Sequence, residues 1–326
     1  MIPIQIRDHE RSALNILKPA IESALYQAGI SIEIPDEYTG VLGFYDHNLK
    51  INKISYAAIE EFDLPLLRTW YKYGQYEPYD ELRPKNLSVA DNSENAYIPS
   101  KQRTDVTQDD ITEYLLNRDL EELFNKSKFE FLIDNYKEWD PEPYTNTYIA
   151  STNIIRVLEK LNDYESEEII DSVDDIRPEF KQASLDMRYD LENIDTFDDD
   201  LYEHCKSYLI ELENTLRYVD ETSEISEEQI DTIKQARNIY HEYVWPWAAL
   251  NISLDKIKGP HQSARDFGVA GENILKSDMS KYNTQLTGWK TELESHNLSV
   301  HITSSQQSRL DDSRIGELHK ATLIEE

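Results

Sequence analysis

Cysteine is almost missing from this 326-residue sequence: Cys205 stands alone, which excludes an internal disulfide framework and any metal centre built from several thiolates. Its surroundings, DDDLYEHCK, are anionic and would raise a thiol pKa, so Cys205 reads as a small apolar helix residue and not as a nucleophile. Glycine is nearly as scarce, at nine residues. Neither phosphate-loop glycine pattern occurs, and FGVAGEN at 267–273 lacks the lysine and the preceding strand that such a loop needs. The G-x-S-x-G nucleophile elbow is absent too. No window nears the roughly 20 apolar residues that cross a bilayer, and the opening MIPIQIRDHERSA has neither a basic n-region nor a cleavage site. The expected location is the cytoplasm, with no membrane partner.

Basic residues are the fourth shortage. Lysine and arginine number 33 against 64 acidic residues, for a net charge of -31. That field repels a phosphate backbone, so direct nucleic-acid binding is disfavoured. Two accounts of the acid compete. Adaptation to a salt-rich cytoplasm, such as that of a halophilic archaeon, fits acid spread along the chain, because about 1 M salt shortens the Debye length to roughly 3 Å. The retention of 19 lysines beside 14 arginines points to an AT-leaning genome. The alternative is an acidic decoy that mimics nucleic acid and binds a basic protein through residues 165–228.

What is present is helical periodicity. Leu14, Leu17, Ile21 and Leu25 predict a helix over about 9–28, with Asp8 as cap, Gly29 as stop and a kink or break at Pro19. Ile51, Ile54, Ala58 and Phe62 predict a second over 41–62, followed by an extended LLRTWYKY and a turn at Gly74. Residues 85–106 read as a linker or long loop. Thr107 caps a helix expected to run towards Trp139, and further helices are expected over 145–162, 166–194, 199–219, 226–257 and 261–296, the fourth bent by Pro246. The fold class is all-α: a helical module over 1–84 with a short extended turn, the 85–106 linker, a helical bundle over 107–302 and a mobile tail over 303–326.

Chemistry leaves little trace. None of the eight histidines follows a glutamate by three positions, as a di-iron bundle requires, and the zincin pattern fails because HEYVW puts Trp245 where the second histidine belongs. Asp200 and His204 share a helix face and could hold a cation, although surface pairing accounts for them more simply. No catalytic residue, metal site or cofactor is assigned; a hydrolase or metal-dependent enzyme would have to be assembled from distant residues.

One segment stands apart: RTWYKYGQYEP at 68–78 packs four aromatic residues around Gly74. Before it comes KINKISY, 50–56. The pair resembles the Panacea domain, the antitoxin module of SocA-like proteins, with Lys50, Ile51, Lys53, Ile54 and Tyr56 matching its helix and Trp70, Tyr73 and Gly74 its aromatic turn. Gln75 stands where the family has proline, and the spacing between the two elements is shorter. The resemblance spans about residues 41–80 and implies a non-enzymatic module that binds another protein, a toxin or regulatory target. Tyrosine and tryptophan suit such a surface, giving large contact area with polar tips. Trp70, Tyr71, Tyr73, Gly74, Tyr76 and Tyr79 are therefore the candidate partner-binding residues, with Trp70 inward and Tyr71, Tyr76 or Tyr79 outward, on a supporting helix carrying Lys50, Lys53 and Tyr56. The competing reading is a buried aromatic corner that pins the turn to that helix.

Overall fold

A computed structural model describes residues 5–31, 41–83, 86–87, 97–98, 106–139, 141–164, 166–222 and 224–299. They form an all-α fold relieved by two short antiparallel ladders. Helix α1 (Asp8–Gln27) and α2 (Val41–Glu61) precede a hairpin of β1 (Thr69–Tyr71) and β2 (Gly74–Tyr76), and β3 (Tyr97–Ile98) pairs with β4 (Val106–Thr107). Then come α3 (Gln108–Leu116), α4 (Leu120–Asn125), α5 (Lys128–Trp139), α6 (Thr145–Asp163), α7 (Ser166–Glu192) and α8 (Asp199–Asp220). Helix α9 (Glu227–Ile239) runs into a π-helical turn (Tyr240–Val244), α10 (Trp245–Asp255) and α11 (His261–Ser295).

The helix ends follow local chemistry. Gly29, at φ +70°, closes α1 in a Schellman turn: its N–H reaches the Tyr26 carbonyl at 3.1 Å and the Ile30 N–H reaches Leu25 at 2.9 Å. Thr107 and Ser226 cap α3 and α9 through their hydroxyls, as expected. Along α8, Leu201, Tyr208, Leu212 and Leu216 are all buried, each contributing about 1.5–3 kcal/mol.

Several expectations need correction. Helix α1 runs unbroken past Pro19, because burial of Ala20, Ile21, Ala24 and Leu25 on the same helix outweighs one missing backbone bond. The helix expected from Thr107 to Trp139 is three helices. Asp119 turns left-handed at φ 50° and caps α4 from its side chain, and the Ser127 hydroxyl pairs with Glu130 at the start of α5. The long helix over 226–257 is interrupted by the π-helical turn. The 85–106 segment is not wholly irregular, since Ile98 and Val106 pair across a ladder; apart from 86–87, 97–98 and 106, it lies outside the described residues, as does the 303–326 tail.

Two apolar cores result. One gathers α1, α2 and α3 with Tyr79, Leu82, Leu250 and Phe267; the other gathers α6 to α10 with Trp70, Trp289 and Leu293. Ile111, Leu115 and Leu120, expected at the head of the second domain, belong to the first core. The hairpin sits between the cores.

Candidate interaction surface

Side chains alternate across a strand, and this decides what the hairpin presents. Trp70 pairs in register with Gln75, and both point inward. Trp70 packs against Tyr136 and Tyr148, at 6.2 and 5.2 Å between ring centroids. The Gln75 side chain accepts from the Asn135 amide, and its backbone carbonyl accepts from the Lys53 ammonium. Thr69, on the other face, donates to the Ser253 carbonyl at 2.6 Å. Gly74 adopts φ +84°, and a Cβ there would lie 2.5 Å from the Tyr136 ring, so only glycine allows the turn to approach α5 this closely.

The supporting helix grips this unit. Lys50 is buried and donates to the Phe124 and Lys126 carbonyls at 2.9 and 2.7 Å, satisfying the C-terminal end of α4. Lys53 faces a cleft of ≈ 80 Å³ shared with Arg118, Asn135 and Glu138. Burial, abetted by Arg83 and opposed by Glu77, pushes its pKa well down. Tyr56 donates to Glu60 at 3.0 Å and stands edge-on to Trp70. Burial lifts the Glu60 pKa, but Arg68 and Lys258 overcome it and hold the carboxyl at about 2.

Of the six expected contact residues, three are turned inward. Trp70 is buried, inward as expected, and Gly74 is buried with it; Tyr79, named among the outward rings, is buried as well, which corrects its place on a partner surface. Tyr79 hydroxyl donates to Glu10 at 2.9 Å and accepts from the Leu67 N–H at 2.6 Å, so its polar end is consumed inside the fold. Tyr71, Tyr73 and Tyr76 are half-buried. Tyr71 and Tyr76 lie 5.7 Å apart on the face opposite Trp70. Burial first, then the nearby Tyr282 hydroxyl, raise Tyr71 to about 12.

Tyr282 extends this face onto α11. Its ring lies 5.8 Å from Tyr243 and 4.3 Å from Trp247. A row of half-buried tyrosines, Tyr76, Tyr71, Tyr282 and Tyr243, therefore crosses the seam between the cores. A cation flanks each end: Arg83 lies 5.7 Å from the Tyr76 ring and Lys281 5.9 Å from the Tyr243 ring. Sequence reading missed Tyr243 and Tyr282, which carry no local signal in their helices.

The other sequence candidates resolve simply. His204 does not turn to Asp200; its ring bonds Asn283 at 2.9 Å and the Tyr243 carbonyl at 3.1 Å. Cys205 is buried, and burial pushes its thiol to about 12. No helix among the described residues is long and apolar enough to cross a membrane.

The sequence profile described as domain of unknown function (DUF8098) matches residues 5–111 and 85–323. No curated protein and no solved structure matches the chain.

Proposed function

Because the chain belongs to the DUF8098 family, whose description names no activity, we propose a function from its geometry: a non-enzymatic protein that docks another protein, a toxin-like or regulatory target, on the tyrosine row. The observation that carries this reading is the row itself, four half-buried tyrosines drawn from the hairpin, α11 and the π-helical turn, with a cation at each end. Half-buried tyrosines offer apolar contact area at small entropic cost. The likeness of residues 41–80 to the Panacea domain supports the same class of function. A salt-adapted cytoplasm is the setting we infer from the charge.

Affinity purification in concentrated KCl tests it, with wild type, Tyr76→Ala, Tyr282→Ala and Tyr189→Ala as baits. Tyr189 is 62% exposed and lies away from the row. A protein retained by wild type and Tyr189→Ala but lost from the other two supports the proposal. Identical capture by all four baits removes this surface from the account.

A further inference from the structure

The hairpin turn also meets a cluster of cations that the tyrosine row does not use. Its loop, Lys72 and Tyr73, docks on the π-helical turn: the Lys72 ammonium donates to the His241 carbonyl at 3.2 Å, and the Trp245 indole N–H donates to the Lys72 carbonyl. Arg237 precedes His241 by four residues, one helical turn away. Lys128, from α5, stands 5.4 Å from the centroid of the Tyr73 ring. Burial, with the charges of Arg237, Lys128 and Lys72, holds the His241 ring neutral and its pKa at about 3. The carboxylates facing the group are Glu159, which accepts from Lys128 at 2.8 Å, and Glu242, whose charge acts on Lys72. The balance is locally cationic in a chain of net charge -31.

Two nitrogens in this cluster are shut off from solvent and have no hydrogen-bond partner: Arg237 Nε and His241 Nε2. Arg237 Nε–H is thus a buried donor without an acceptor, and the neutral His241 ring, in the same cationic cluster, has a nitrogen without a partner. The π-helical turn is part of the construction. The Trp245 N–H bonds the Tyr240 carbonyl five residues back, a geometry that recurs at functional sites.

We propose that Arg237, His241, Lys72 and Lys128 form a binding site for a small oxyanion of the phosphate class, held between the hairpin turn and the π-helical turn. Arg237 Nε and a proton on His241 Nε2 donate to the anion; the two lysines supply charge. The site is independent of the tyrosine row and does not rest on partner binding.

Inorganic phosphate titrated calorimetrically into the full chain, at a fixed high KCl concentration so that screening stays constant, tests this. Wild type should bind saturably, with the His241 ring resonance moving in step in NMR spectra. Arg237→Gln and His241→Phe should each weaken binding about tenfold or more. No saturable heat with a stationary ring resonance overturns the proposal, as does unchanged affinity in the two variants with their helical circular dichroism intact. If a variant fails to fold, the wild-type ring resonance decides. Acetate binding as tightly as phosphate would overturn the assignment to the phosphate class.

Discussion

The two cores bury different materials. Among the described residues, the first 84 enclose Glu10, Glu22, Lys50, Lys53, Arg68 and Glu77, each less than 9% exposed, whereas the C-terminal core encloses only Arg188 and His204 of comparable character. Hydroxyls meet the polar needs of the second core: Tyr208 donates to the Ala236 carbonyl at 2.9 Å and Tyr240 to Ser151 at 3.0 Å. Buried charges are costly unless paired, and their partners are few and specific. Glu77, for instance, accepts from Asn52, the Tyr79 N–H and Arg83 at 2.8, 2.9 and 2.6 Å. The N-terminal core therefore depends on particular pairs and on pH, while the C-terminal core depends on filled volume.

Trp70 crosses from one regime to the other, so its removal is the severest test. Trp70→Ala should cost about 3–5 kcal/mol and, if the cores unfold as one, shift a single denaturant transition. A split into two transitions, one unmoved, would show that the cores are energetically separate.

Glu77 tests the electrostatic half. Burial pushes its pKa to about 7, although Arg83 and its hydrogen bonds pull the other way. With the folded pKa above the unfolded one, the folded state binds the extra proton. Stability is fully present below about pH 4.5 and is lost as pH rises towards 7, at up to about 1.4 kcal/mol per pH unit. Glu77→Gln should flatten that slope in urea melts at pH 5, 6 and 7.5. An equal slope in both proteins would place the pH sensitivity elsewhere.

Gly74→Ala probes the contact between the hairpin and α5. The strained φ and the Tyr136 ring together predict a loss of about 1–3 kcal/mol; an unchanged midpoint would mean that the ring yields freely. The smallest effect belongs to Tyr189→Ala on the solvent face of α7, expected within about 0.5 kcal/mol, and a larger loss would give that side chain a contact role.

Much of the helical order was legible because caps and apolar spacing act over a few residues: Thr107, Ser226 and Gly29 do what their chemistry requires. The three-way split of 107–139 was signalled by Asp119 and Ser127, both good caps, but an apolar pattern continuing through them masked it. The π-helical turn had only Pro246 as a marker. At the candidate surface, Tyr71, Tyr73 and Tyr76 were identifiable as aromatic-rich sequence, yet nothing local distinguished them from Trp70 and Tyr79.

By itself the sequence determined an all-helical, strongly acidic chain with a glycine-dependent aromatic turn, because helix periodicity, capping and charge are properties of neighbours along the chain. Only the tertiary structure decided which rings are dry, brought Tyr282 beside Tyr71 and Tyr243 beside Tyr282, and set Arg237 and His241 against Lys72 and Lys128. The pleat of a three-residue strand turns alternate side chains in opposite directions, and helices far along the chain, α5 and α6 on one side and α10 and α11 on the other, supply what each direction meets.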